Sequence, residues 1–191
     1  MPVSLQAMRV IGGRSRGRRL SAPLPAEVRP TSDRVRESVF DILGSLGGVE
    51  GLRVVDLFCG SGALGIEALS RGAASAAFVD RDPAALDAVR ANLEAVGLGG
   101  ATATFHRGVL PGWLKGAPGF DLAFCDPPYA FAAWNDLLGA LRADRAVLES
   151  SKDVEAPAGW TVTRARRYGG TLVTVLRKVQ DLPSPSSEGR P

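Results

Sequence analysis

The rhythm of apolar and polar positions changes at residue 53. Beyond it, short apolar runs alternate with longer stretches whose apolar residues recur at helical spacing. Arg53–Phe58 (RVVDLF) reads as a buried strand, Ala63–Ser70 as a helix closed by Gly72, and Ser75–Asp80 as a second strand. Pro83 suits the first turn of a helix that runs to Val96 and stops before Gly97. Ala101–His106 and Phe120–Cys125 read as the third and fourth strands, Phe131–Arg142 as a helix, and Arg145–Glu149 as a fifth strand. Trp160–Tyr168 and Thr171–Lys178 flank Gly169-Gly170 and read as a hairpin.

The first fifty residues carry a different pattern. Residues 8–22 read as two short strands around a Gly-rich turn, and Pro23, Pro25 and Pro30 then punctuate a linker. Thr31, Ser32 or Asp33 can cap a helix reaching Leu46, with Val35, Val39, Phe40 and Leu43 on one face and Gly47-Gly48 at its end. Repeated strand–helix units predict an α/β fold: a mostly parallel sheet, helices on both faces, and an antiparallel edge from the last hairpin. Three parts follow: a basic hairpin arm over 1–24, a catalytic domain over 25–180, and a disordered tail over 181–191 (DLPSPSSEGRP).

Charge sharpens that division. Residues 1–36 hold eight arginines against Glu27 and Asp33, a balance of +6, whereas the rest holds 15 basic and 18 acidic residues, a balance of −3. A basic arm on a near-neutral body points to a polyanion partner. Arg9, Arg14, Arg16, Arg18 and Arg19 fall within eleven residues without an acid among them, and with Arg36 they are the candidate nucleic-acid contacts. A guanidinium fork matches phosphate geometry.

Other chemistry is narrowed by what the chain carries. A single histidine, His106, argues against Ser-His-Asp catalysis and multi-histidine metal sites, and it reads as a strand-end residue. Cys59 and Cys125 show no CxxC spacing, so neither a disulfide framework nor a metal site is expected. No apolar run approaches the ~18 residues that span a bilayer. The opening MPVSLQAMRVIGG lacks the features of a signal peptide. A cytoplasmic monomer with no membrane partner is the expectation.

The candidate cofactor site follows the first strand. In Asp56-Leu57-Phe58-Cys59-Gly60-Ser61-Gly62-Ala63-Leu64-Gly65, Gly60, Gly62 and Gly65 satisfy GxGxxG, which suits a nicotinamide, a flavin or S-adenosyl-L-methionine. Asp56 favours the last, because a carboxylate beside the turn repels a pyrophosphate and attracts an amino group or a sulfonium. Asp80 ends the next strand, 24 residues later, where it can accept from ribose hydroxyls. Candidate cofactor residues are therefore Asp56, Phe58, Cys59, Gly60, Ser61, Gly62, Asp80 and Arg81, with Gly108 after the third strand.

Asp126-Pro127-Pro128-Tyr129 lies just past the fourth strand, at the carboxyl edge where ligands of open α/β sheets bind. A nucleobase amine is a poor nucleophile because its lone pair is delocalised. The Asp126 side chain and the Pro127 carbonyl can accept its two hydrogens and so aim that lone pair at a methyl carbon. Pro127 and Pro128 fix the backbone, and Tyr129 offers a face on which a flipped base can stack. These four are the candidate catalytic residues.

Together these motifs resemble the ribosomal small-subunit methyltransferase D family. The resemblance rests on RVIGG-x-x-RGRRL, on Arg29-Pro30-Thr31-Ser32-Asp33-Arg34-Val35-Arg36-Glu37, on Asp56 through Gly72, and on DPPY, and it covers residues 8–180. It implies the class I methyltransferase (Rossmann-like) fold with seven strands and an N-terminal hairpin. It implies S-adenosylmethionine as cofactor and methylation of a guanine N2 in 16S rRNA of the small ribosomal subunit. It also implies that Thr31 and Arg34 lie near the cofactor. The chain departs from the family after the third strand, where Arg107-Gly108-Val109 offers no acid or amide for adenine, so backbone groups must serve. DPPY also suits DNA adenine-N6 methylation, but the chain has no room for a large target-recognition domain. A nicotinamide-dependent oxidoreductase is disfavoured by Asp56 and by the lack of a proton-relay set.

Overall fold

The computed structural model describes residues 8–21 and 33–179. Its elements are α1 (Asp33–Ser45), β1 (Arg53–Leu57), α2 (Ala63–Ser70), β2 (Ser75–Asp80), α3 (Pro83–Ala95), β3 (Ala103–Arg107), β4 (Phe120–Cys125), α4 (Trp134–Ala140), β5 (Ala143–Ser150), β6 (Trp160–Tyr168) and β7 (Thr171–Lys178). The seven strands form one sheet in the order β3-β2-β1-β4-β5-β7-β6. The first five run parallel, and β7 is antiparallel to both β5 and β6. This is the seven-stranded class I methyltransferase arrangement, with the reversal of strand order between β1 and β4.

Apolar runs of the central strands are buried on both faces. Phe78, Phe124, Val147 and Val173 meet α1, α2 and α3 on one side, and Leu57, Leu148 and Leu176 meet α4 and Leu114 on the other. The Asp82 side chain caps α3 by accepting from the Ala84 amide at 2.9 Å, with Pro83 in the first turn. A Cβ at Gly65 would lie 2.4 Å from the Phe78 ring, so only glycine lets α2 sit this close to β2.

Several boundaries shift by one to three residues from the pattern-based reading, among them α4, which also ends at Ala140 and not at Arg142. β1 stops at Leu57 because Phe58 turns to a positive φ of 59°. β3 begins two residues late because the Ala101 amide closes a turn onto Leu98 O. β5 gains Ala143, which pairs with Phe120. α4 starts at Trp134 rather than Phe131, since the Phe131 amide bonds back to Pro128 O at 2.8 Å. The linker prolines and the residues beyond Val179 fall outside the described residues, as do Thr31 and Ser32.

The N-terminal segment forms one antiparallel bridge, Arg9↔Arg19, around a 3-10 turn at Gly13–Ser15, in place of two strands. Its inner amides are taken by the body. Ile11 N and Gly12 N each donate to the Glu67 carboxylate at 2.7 Å, and Ser15 N donates to Ser70 Oγ at 3.0 Å. Met8, Val10 and Leu20 join the core of the α1–α3 face, so the hairpin is part of the packed body. Glu67 is fully buried in α2 and also pairs with Arg71 Nε at 2.7 Å and Arg36 Nε at 3.9 Å. A buried carboxylate is tolerated only when it is satisfied in this way.

Candidate active site

Register sets the site. Leu57, the last residue of β1, pairs with Val79 on one side and Cys125 on the other. The turns leaving β1, β2 and β4 therefore emerge side by side at the carboxyl edge. Gly60 (φ 51°) and Gly62 (φ 76°) take left-handed backbone, and the loop closes through Cys59 N to Val79 O (3.1 Å) and Gly62 N to Cys59 O (2.7 Å). A Cβ at Gly62 would press Val89 at 2.9 Å, whereas one at Gly60 would meet nothing within 4 Å. That open space at Gly60, beside half-buried loop backbone, can take a ligand at the start of α2.

Asp80 gathers the loops. Its carboxylate accepts from Gly60 N and Asp82 N, each at 3.0 Å, and its backbone carbonyl accepts from Gly108 N at 2.9 Å. The Gly108 amide is thus already engaged. The exposed side chain of Val109 stands beside it as an apolar wall.

Asp56 lies beneath the Gly loop, 2% exposed, and accepts from Gly65 N at 2.9 Å. Burial pushes its carboxyl well above the ordinary 3.8, against the Gly65 hydrogen bond, and the neighbouring Asp126 and Asp80 carboxylates push it further. Three carboxylates converging on one cradle suit a cationic ligand. Because the folded-state value is raised, the fold holds this proton more tightly than the unfolded chain does. Its stabilising effect is therefore lost as pH rises from about 3.8 through the raised value. Asp56→Asn keeps an acceptor for Gly65 N and removes the charge. Thermal denaturation across pH should show a smaller decline for this variant than for wild type above pH 4, while calorimetry shows cofactor affinity at least about tenfold weaker. Unchanged affinity would remove Asp56 from the binding set.

Asp126 is half-buried, Pro127 buried and Pro128 exposed, and Tyr129 stands 65% exposed. The segment is braced from behind. Phe131 packs edge-on against Phe58 of the Gly loop (5.1 Å between centroids) and against Trp134 (5.2 Å). Cys59 and Cys125 are buried free thiols beside these carboxylates. Burial, then the acids, pushes both well above the ordinary thiol range, so neither is a nucleophile.

The remaining candidates separate. Ser61 and Arg81 flank the cradle, Ser61 through a carbonyl that accepts from Asn92 Nδ2 at 2.9 Å and Arg81 as an exposed side chain. Arg34 is exposed in the first turn of α1, and Thr31 lies outside the described residues. Arg14, Arg16, Arg18 and Arg19 are exposed on the docked hairpin, and Arg9 is exposed but 3.7 Å from Asp33. Arg36 is a correction. It is fully buried, donates to Arg9 O and to Asp33 Oδ1 (2.9 Å), and cannot contact a nucleic acid. His106 sits inside β3, against Thr104 Oγ1 at 3.0 Å.

Sequence reasoning missed Phe131, Glu67 and Asn92. Asn92, buried in α3, ties the hairpin to the Gly loop by bonding both Ser21 and Ser61 backbones. An acid and an amide on otherwise apolar helix faces were the available signals.

Comparison with known proteins places this geometry. The model of the family described as conserved hypothetical protein 95 matches residues 8–177. The Bacillus subtilis protein described as "Putative rRNA methyltransferase YlbH" is 38% identical over 90% of this chain and 99% of its own. Ribosomal RNA small subunit methyltransferase D of Escherichia coli is 34% identical over 85% of each chain. An Escherichia coli structure described as "Putative methyltransferase yhhF" superposes with a TM-score of 0.77 at 31% identity, over 90% of this chain and 98% of that one.

Proposed function

The chain belongs to the conserved hypothetical protein 95 family, that of the ribosomal small-subunit methyltransferase D proteins, and we propose on that basis that it methylates the exocyclic N2 amine of a guanine in 16S rRNA. The observation that carries the chemistry is the register Leu57↔Cys125, which sets the acidic Gly cradle beside Asp126-Pro127-Pro128-Tyr129. S-adenosylmethionine, when bound, supplies a methyl group on a sulfonium and leaves as a neutral thioether.

The chain's own residues do the rest. Asp56, Gly60 and Gly62 hold the amino-acid end, and Asp80 accepts from the ribose. Asp126 and the Pro127 carbonyl accept the amine's two hydrogens, which draws the nitrogen toward a tetrahedral geometry and aims its lone pair along the displacement line. Holding the two reactants so supplies much of the acceleration. Asp126, being half-buried, can take the surplus proton and pass it to solvent. The exposed ring of Tyr129 stacks the extruded base. Arg9, Arg14, Arg16, Arg18 and Arg19 contact phosphates and set the position of the RNA without reading sequence.

The test offers methyl-labelled cofactor with small ribosomal subunits, naked 16S rRNA and duplex DNA. Label should enter RNA, in subunits or free, and not the duplex. Label confined to duplex DNA would replace this reading with that of a DNA methyltransferase.

A further inference from the structure

We propose that the edge strand β6 is a second RNA-backbone contact, in which Arg164 and Arg166 hold the phosphate chain on the far side of the target base. The inference rests on the functional reading above.

β6 is the last strand of the sheet, and it is uncovered. Every residue from Thr161 to Arg167 is exposed. The strand carries Arg164, Arg166 and Arg167 and no acid. Arg167 donates to Ser151 O at 3.1 Å, whereas Arg164 and Arg166 make no ion pair or side-chain hydrogen bond among the described residues. Arg164 pairs with Val175 and Arg166 with Val173, and both valines face the α1–α3 core. The two guanidinium groups therefore project from one face, the face that also carries the basic hairpin.

Register places them level with the chemistry. Cys125 pairs with Leu148, Leu148 with Thr174, and Thr174 with Ala165. One residue further along each parallel strand, Arg166 stands in the row of Asp126. Three strand spacings separate the two residues laterally, ~14 Å. A base held at Asp126 thus has its flanking backbone within reach of β6. The β5–β6 loop adds exposed Lys152 but also Asp153 and Glu155, so the positive potential lies on the strand itself.

Charged residues on a sheet edge also prevent strand pairing between molecules, as does a bulge such as the one between Val162 and Arg164. Charge reversal separates the two roles, because glutamates blunt the edge as well as arginines do. The full chain carrying Arg164→Glu and Arg166→Glu should bind 16S rRNA at least about tenfold more weakly than wild type. The slope of log affinity against log salt should flatten by about 1 for each lost contact. The KM for rRNA should rise with little change in kcat or in S-adenosylmethionine affinity. Arg164→Lys with Arg166→Lys should restore most of the binding. Wild-type rRNA affinity and salt slope in the charge-reversed protein would overturn this inference alone. Wild-type protein that neither binds nor methylates rRNA would overturn the functional reading, and this inference with it.

Discussion

Asp126→Ala is expected to lower kcat by about a hundred- to a thousandfold, the scale seen when one preorganised hydrogen-bonding group is removed from a reacting centre. Affinity for S-adenosylmethionine should stay close to that of wild type, because Asp80 and the Gly loop hold their bonds without it. Asp126→Asn retains one acceptor oxygen and should fall between the two. Single-turnover transfer, with calorimetry for cofactor binding, separates these effects. An alanine variant with wild-type kcat would mean that the amine is held elsewhere.

The largest effect on stability belongs to Glu67. Glu67→Ala strips the acceptor from Ile11 N, Gly12 N and Arg71 Nε, and it leaves the fully buried Arg36 beside an empty position. Breaking a buried ionic network in this way costs about 3–5 kcal/mol. For a chain of this size the melting temperature should then fall on the order of 10 °C. Urea unfolding at unchanged m would confirm that the loss lies in the folded state. Glu67→Gln should lose less, since an amide oxygen can still accept from one backbone N–H. An alanine variant within about 1 kcal/mol of wild type would show that Met8, Val10 and Leu20, with the Ser15 and Ser21 hydrogen bonds, hold the hairpin without the Glu67 network.

Most of the architecture of the carboxyl edge was legible in the residues. RVVDLF, SAAFVD and FDLAFC are apolar runs too short for helices, and the turns that follow them carry the glycines and aspartates of the cradle. β2, β4, β6, β7 and α2 fall where their patterns place them, because sharp punctuation by glycine or proline bounds each one or because the strand pair closes on Gly169-Gly170. Tertiary bonds made the rest illegible. The hairpin keeps cross-strand bonds only from Met8 to Val10, because the Ile11 and Gly12 amides turn to Glu67, a residue more than fifty positions away. Arg36 reads as one more cation in a basic segment, yet α1 turns it inward onto that same carboxylate. Phe131 reads as the start of a helix, but its ring is needed to join Phe58 to Trp134 behind DPPY. Arg164 and Arg166 sit in an ordinary-looking hairpin, and only the sheet order shows that theirs is the uncovered edge strand.

The modified nucleoside itself decides the matter most directly. Small ribosomal subunits or 16S rRNA, incubated with methyl-labelled S-adenosylmethionine and the full chain, would be digested to nucleosides and resolved by chromatography with mass detection. Label should appear in N2-methylguanosine with the wild-type protein, and its initial rate of appearance should fall about a hundred- to a thousandfold with Asp126→Ala. Label in N6-methyladenosine, or in N2-methylguanosine at undiminished initial rate from the variant, would contradict guanine N2 transfer at Asp126.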